Sequence, residues 1–311
     1  MQIKTLGEFG LIKRLTRQLE NDSSVIKGPG DDCAVVKFNR HYYQLLTCDM
    51  IVEGVDFKPH DKPSLVGRKA LAVSLSDIAA CAGIPKYAVV ALGLPKHTRV
   101  ETVDEICRGM FRLAREFKVN IVGGDISRSL RLTIDVSMTG LVEKKYLVLR
   151  NGASVGDFIF VSGALGGSIS GKHLTFIPRV KEARFLAENF KINSMIDISD
   201  GLAQDLGHIL EQSCAGAVIY ADLIPRVHAS VSLEDALYSG EDFELLFTMP
   251  RKEAIKLMAN KNTPPYRMGG CPASCGVFHA IGHITDKKSG LRLIDRNCRE
   301  RVIIPRGYKH F

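Results

Sequence analysis

The sequence predicts an α/β protein (α+β in its layering) of two domains, and three observations carry that prediction. Apolar stretches of strand length alternate with stretches of helical period along the whole chain. A length of 311 residues favours two domains, or one large α/β domain, and supplies ample sequence for a buried core. A polar, glycine-bearing break, Arg150-Asn151-Gly152-Ala153-Ser154-Val155-Gly156, falls near the middle. The expected domains are residues 1–150 and 151–311.

Residues 7–20 read as a helix, because Phe9, Ile12, Leu15 and Leu19 recur on one stripe. Two β-rich runs follow, 33–38 and 43–51. Residues 64–82 read as a helix that stops at the breaker Gly83-Ile84-Pro85. Tyr87 to Leu94 is an apolar strand, 101–118 a helix, 119–123 a short strand running into Gly123-Gly124, and 131–142 another strand. Beyond the break the same style returns. Strands are expected at 157–162, 196–198, 217–222, 243–249, 279–285 and 291–294, with helices at 179–190 and 202–213. Residues 260–277, rich in Gly, Pro and Asn, read as a loop.

Composition narrows the class. Apolar residues make up 45% of the chain, an ordinary globular value that excludes intrinsic disorder. No apolar run reaches bilayer length, so no membrane role is expected. Met1-Gln2-Ile3-Lys4 lacks the apolar core of a signal peptide, and a cytoplasmic protein with reduced thiols is the expectation. Cys33, Cys81 and Cys107 lie in apolar segments, and the C-x3-C of Cys271 and Cys275 reads as a loop with incidental cysteines. The net charge of +8 favours anionic partners. Nucleic acid is not expected among them, because no basic stripe interleaves with stacking aromatics.

The informative feature is where the aspartates stand. Asp31-Asp32 precedes the strand Ala34-Val35-Val36, and Asp49 ends the run Leu45-Leu46-Thr47-Cys48. Asp125 follows Ile121-Val122-Gly123-Gly124, Asp197 and Asp200 flank Ile198-Ser199, and Asp77 lies inside an apolar helix. Singly, each has an ordinary reading: a turn after Gly, an N-cap for Asp200, a pair with Lys69 or Arg68 for Asp77. Together they are harder to dismiss, since unpaired carboxylates near a core cost several kcal/mol each, on the order of a lost ion pair. An oxygen-rich set without His or Cys suits a hard cation such as magnesium, and magnesium among carboxylates points to phosphate chemistry. A phosphate loop is nearly matched by Gly166 to His173, but His173 stands where the magnesium-holding hydroxyl belongs. Those glycines read instead as a strand-to-helix turn.

These residues carry a resemblance. Gly30-Asp31-Asp32-Cys33-Ala34 resembles the glycine–aspartate–aspartate loop of thiamine-monophosphate kinases. Asp49-Met50-Ile51-Val52-Glu53-Gly54-Val55, Leu71-Ala72-Val73, Ser76-Asp77-Ile78-Ala79-Ala80 and Gly123-Gly124-Asp125 resemble further motifs of that family. So do Gly7-Glu8-Phe9, Asp197-Ile198-Ser199-Asp200-Gly201-Leu202, Gly240-Glu241-Asp242-Phe243-Glu244-Leu245 and the tail Gly307 to Phe311, in order over nearly the whole chain. The superfamily includes aminoimidazole ribonucleotide synthetase. The resemblance implies an N-terminal mixed-sheet domain that pairs across a homodimer and a C-terminal α/β domain. It implies ATP in a cleft at the domain and subunit boundary, several magnesium ions, and conversion of thiamine monophosphate to thiamine diphosphate.

By position, the resemblance makes Asp32, Asp49, Asp77, Asp125 and Asp197 metal ligands, places Asp200 on a further ion, and gives Thr47 and Cys48 metal contacts. It gives Gly124, Asp125, Arg150 and Ser199 to ATP, and Glu241 and Tyr308 to the thiamine part. No protein nucleophile is expected, because a substrate phosphate oxygen is already nucleophilic at neutral pH. Three positions depart from the family. Asp56 stands where a substrate-contacting His is usual, Ser74 replaces an Asn, and Cys48 replaces a hydroxyl residue. Asp56 either faces the cationic ring or the pyrimidine amine, or holds an extra magnesium. Cys48 is harmless if its backbone carbonyl makes the contact and a poor ligand if its thiol does. Another ATP-dependent enzyme of the superfamily, or a non-catalytic nucleotide-binding relative, are the alternative readings.

Overall fold

The computed structural model describes residues 2–260 and 278–308. Cys271, Cys275, most of the stretch 260–277 and Lys309-His310-Phe311 lie outside the described residues. Two short helices, α1 (Ile3–Leu6) and α2 (Glu8–Thr16), lead into a first sheet. Its strands are β1 (Val25–Lys27), β2 (Ala34–Lys37), β3 (Tyr42–Val52), β4 (Ile84–Leu94), β5 (Asn120–Arg128) and β6 (Thr133–Glu143), in the spatial order β1-β2-β3-β6-β4-β5. Only the pair β4 and β5 is parallel, and the helix α4 (Val100–Glu116) makes that crossover.

One face of this sheet is covered by α3 (Pro63–Ala80) and α4; the other is open. The strand β6 shows why, with Ile134, Val136, Met138 and Val142 buried in strict alternation beneath the helices. On the open face Leu46, Met50, Tyr87 and Val89 are 38–58% exposed. The helix α3 is buried nearly all round, as its small and apolar sequence requires. It crosses α4 backbone to backbone: a Cβ on Gly67 would stand 1.9 Å from the Ile106 carbonyl oxygen, and one on Gly109 1.8 Å from that of Ser64.

The second sheet comprises β7 (Phe158–Val161), β8 (Ser194–Asp197), β9 (Ala215–Tyr220), β10 (Leu245–Met249), β11 (His279–Asp286), β12 (Leu291–Ile294) and β13 (Glu300–Val302). Their order is β13-β12-β9-β11-β7-β10-β8. Helices α5 (Lys172–Thr175), α6 (Val180–Asn189), α7 (Leu202–Ser213), α8 (Leu233–Tyr238) and α9 (Arg251–Ala259) are distributed around it. One buried cluster packs α7 on the face bearing Ile159, Val161, Ile196 and Leu246. The other runs from the first sheet through α3 to Phe160, Met195, Phe247 and α6, so α3 is shared by both halves.

Boundaries differ from expectation in instructive places. The strand β4 starts at Ile84 and passes through Pro85, because a register shift between Pro85 and Tyr87 spares the ladder. The strand β5 does not stop at Gly123 but pairs on to Arg128. The first helical stretch ends at Thr16 rather than 20. The sequence reading passed over the very short β1, β13 and α5, and also α8 and α9. A signal for α8 was present, since Ser232 and Asp235 form a reciprocal capping box.

Candidate active site

The end of β3, the middle of α3, the end of β8 and the loop before β2 converge on a cleft of about 850 Å3. The strand β3 turns Thr47 and Asp49 toward α3. Along α3, Ser74 donates to Asp49 Oδ2 at 2.8 Å and Ser76 donates to Asp197 Oδ2 at 2.6 Å. Thr47 donates to the Asp77 carboxylate. Carboxylate oxygens of Asp32, Asp77 and Asp197 all lie within 4.8 Å of one another. Arg150, from the turn between the halves, gives its guanidinium to Asp32 Oδ1 at 2.7 Å, and its backbone N–H lies 3.2 Å from Asp31.

The electrostatics follow from crowding acids away from water. Burial first, then the neighbouring Asp49, Asp197 and Asp32 charges, push the Asp77 carboxyl well above the usual carboxylate range. Burial and Asp32 push Asp197 up to about 8. Burial raises Asp49 as well. Burial and Asp32 hold Asp31 at about 6. Burial alone would lower the Arg150 pKa, but Asp32 raises it on balance. Asp32 Oδ2 and Arg150 Nε are buried without a hydrogen-bond partner among the described residues. An orphaned carboxylate oxygen facing two more carboxylates, with no thiol or imidazole among them, fits a hard divalent cation of magnesium type.

Other expected residues occupy different places. Cys48 Sγ points to the open face of the first sheet, 3.4 Å from Asp135 and 3.3 Å from Ser137. Its thiol is thus directed away from the cluster, and only its backbone runs beside it. Gly124 and Asp125 sit on the exposed edge strand β5. A Cβ on Gly124 would stand 1.8 Å from the Val90 carbonyl oxygen, so packing alone requires glycine there. Asp125 is in register with Ala91, Ala91 with Asp135, and Asp135 with Met50, so Asp125 shares the open face. Three strand spacings of about 4.8 Å place it roughly 14 Å from β3 within one chain.

Asp56, Glu241 and Tyr308 line the same cleft as Asp49. Asp56 closes its own turn, accepting the Val52 N–H on Oδ2 at 2.7 Å. Burial, then Asp56 and Glu241, raise the Tyr308 pKa. Tyr308 is tied to the second half by its N–H to the Asp200 carbonyl, 3.0 Å. Ser199 and Asp200 line the cleft, and the fully buried Asp205 holds their loop by accepting the N–H groups of Asp200 and Gly201 at 3.1 and 3.0 Å. Gly201, not Asp200, holds the N-cap position of α7. Phe9 of α2 packs on His208 of α7, ring centres 4.9 Å apart, which brings the Gly7-Glu8-Phe9 segment to the mouth.

Sequence reasoning passed over several residues. Lys69 was considered only as a partner for Asp77; its ammonium goes instead to Glu241 and to the Asp56 carbonyl. Ser76 stood in a quoted motif with no role. Asp205 has the signal of an acid in the first turn of a helix. Lys172 is engaged by Glu244 Oε1 at 3.0 Å and the Ala164 carbonyl at 2.9 Å, away from the cleft, as expected for a structural turn rather than a phosphate loop.

Comparison with known proteins gives concordant results. Residues 30–142 match the N-terminal domain, and residues 154–269 the C-terminal domain, of the family described as AIR synthase related protein. The thiamine-monophosphate kinase of Buchnera aphidicola subsp. Acyrthosiphon pisum is 33% identical over 333 residues, covering 98% of each chain. A solved structure described as AaThiL complexed with AMPPCP and TMP superposes with a TM-score of 0.83 at 30% identity, covering 100% of this chain and 99% of that one. Thiamine monophosphate kinase from Aquifex aeolicus superposes with a TM-score of 0.76 at 29% identity, covering 97% and 100%. Sequence likeness at this level over nearly the full length places the chain in the thiamine-monophosphate kinase family, within the two-domain architecture of the AIR synthase related proteins.

Proposed function

We propose that the chain transfers the terminal phosphoryl group of ATP directly to thiamine monophosphate, giving thiamine diphosphate and ADP. The observation that carries this reading is a cleft lined by Asp49, Glu241 and Tyr308 together, with Asp49 joined through α3 and β3 to the clustered carboxylates of Asp32, Asp77 and Asp197. Asp32, Asp49, Asp77 and Asp197 would hold several magnesium ions, with Thr47, the Cys48 backbone and Asp200 at the margin. When bound, magnesium neutralises the charge on the polyphosphate.

The chain's own groups do the rest. Ser74, Ser76 and Thr47 fix the rotamers of Asp49, Asp197 and Asp77, so the carboxylates are oriented before any ligand arrives. Arg150 holds Asp32 and offers a buried Nε–H, and it binds ATP together with Ser199. Glu241 faces the cationic thiazolium and Tyr308 stacks on a ring of the acceptor. Asp56 shapes the same end by clasping its turn, which leaves its second oxygen to accept from the pyrimidine amine. No residue acts as nucleophile or strong base, since the acceptor phosphate attacks for itself.

The domain boundary is put at residue 150, beside Arg150. The protein works as a homodimer through the open apolar face of the first sheet, where Leu46, Met50, Tyr87 and Val89 are exposed. In that assembly Gly124 and Asp125 serve the nucleotide and metal site at the subunit boundary. No helix among the described residues is long and apolar enough to cross a membrane. A cytoplasmic site of action agrees with this and with the supply of ATP.

Steady-state kinetics with magnesium, ATP and thiamine monophosphate test the reading on wild type and Asp56→His. Thiamine diphosphate is expected from both, with acceptor affinity altered by less than tenfold. A wild type that consumes ATP only with some other acceptor, together with an inert Asp56→His, would overturn it.

A further inference from the structure

Lys69 is 1% exposed, yet it borders the cleft. A buried ammonium is heavily penalised unless it is paired and hydrogen-bonded, so its partners indicate what it is kept for. It donates to the Asp56 carbonyl oxygen at 2.6 Å and to Glu241 Oε1. Asp56 belongs to the turn after β3 in the first half, and Glu241 to the loop before β10 in the second. Both face the acceptor end, and Lys69 reaches them from α3, the helix packed against both halves.

The Glu241 loop is held on two sides. Its backbone is pinned to the end of β8, Glu241 N–H to the Ser199 carbonyl at 2.7 Å and Phe243 N–H to the Ile198 carbonyl at 2.8 Å. Glu241 itself adopts a left-handed backbone at φ 56°. Its side chain has only Lys69 as an ion-pair partner among the described residues. One carboxylate oxygen is thereby engaged, while the side chain keeps 23% exposure toward the cleft.

We propose that Lys69 is a positioning residue for the phosphoryl acceptor: its ammonium fixes the Glu241 carboxylate and the Asp56 turn relative to each other across the domain boundary. The inference rests on the acceptor reading of this end of the cleft. It implies an asymmetry. Removing the ammonium frees the carboxylate that meets the cationic ring, while the carboxylate cluster and Arg150, which make no contact with Lys69 among the described hydrogen bonds and ion pairs, keep their geometry.

The test is steady-state kinetics on wild type, Lys69→Met and Lys69→Arg, with thermal melting in parallel. Expected are a tenfold or greater rise in KM for thiamine monophosphate in Lys69→Met, a KM for ATP within twofold, and recovery of most of the loss in Lys69→Arg. An unchanged acceptor KM, or equal rises in both KM values, would overturn the inference. If Lys69→Met does not fold, Lys69→Met/Glu241→Gln removes both charges and carries the test. An acceptor KM within twofold of that of Glu241→Gln alone shows Lys69 acting through Glu241; a further tenfold rise sinks the idea. Failure of wild type to make thiamine diphosphate removes the acceptor reading itself. Turnover by wild type with an indifferent Lys69→Met removes only the role of Lys69.

Discussion

The two ends of the cleft are built by different means. At the carboxylate end, regular elements carry three of the four carboxylates, Asp49 on β3, Asp77 on α3 and Asp197 on β8, each locked by a hydroxyl from a neighbouring element. The fourth, Asp32 on the loop before β2, is held by Arg150. At the acceptor end, Asp56, Glu241 and Tyr308 come from turns and a terminal segment; the buried Lys69 holds the Asp56 turn and Glu241, and Glu241 itself has a left-handed backbone. Sites on strands and helices are more precise than sites on loops. The difference teaches where exact geometry is needed. Phosphoryl transfer depends on positioned charge, whereas recognition of an organic ring tolerates variation in the loops that supply its contacts.

The sharpest way to break this comparison is at the carboxylate end. Asp77→Asn keeps the side-chain volume and removes one charge from the cluster. A fall in kcat of about a hundredfold or more is expected, since lost charge stabilisation at such sites costs roughly that much. Melting in chelator should move up, because the amide is buried without the cost of first protonating a carboxylate. Wild-type turnover by a folded Asp77→Asn would sink the assignment of this end.

A second effect follows from the raised carboxyls. Asp197 titrates at about 8 in the fold and near 3.8 when unfolded. Between those values the folded chain holds a proton that the unfolded chain has released. Stability therefore falls as pH rises from about 4 to 8, by about 1.4 kcal/mol per pH unit for each such proton. Burial and Asp32 shift Asp31 to about 6, in the same direction. Melting in chelator should be higher at pH 6 than at pH 8, and saturating magnesium should shrink the difference by favouring the ionised carboxylates. A flat profile in chelator would show that burial and the Asp32 charge do not raise these carboxyls.

The smallest effect concerns Lys172, on the glycine turn outside both ends. Lys172→Ala should bind ATP within a few-fold of wild type. Stability should fall by about 1–3 kcal/mol, because Glu244 then keeps Arg179 but loses a buried donor. A hundredfold loss of ATP affinity in isothermal titration would move the nucleotide to that turn and redraw the cleft.

Much of the fold was legible because apolar periodicity sets it. The strand 291–294 and the helix 202–213 are placed as the spacing predicts, and α3 stood out by its lack of a polar face. Short elements such as β1 and β13 escaped because three residues carry no period. The aspartates of the cluster could be suspected from their recurrence at strand ends. Their hydroxyl partners could not, since Ser and Thr are common and only the packing of β3 on α3 pairs Ser74 with Asp49. Lys69 was hidden for a related reason. A lysine inside an apolar helix announces burial, but its partner lies 172 positions away, in a loop whose position depends on the second sheet.

The left-handed backbone at Glu241 has a consequence for anyone improving this protein by selection. A residue with a Cβ held at φ 56° carries strain that glycine does not. Glu241→Gly would relieve that strain, yet it would leave the Lys69 ammonium buried without its carboxylate, the larger loss of the two. A heat-tolerance screen read only by surviving folded protein will therefore keep Glu241, and with it the group that meets the acceptor.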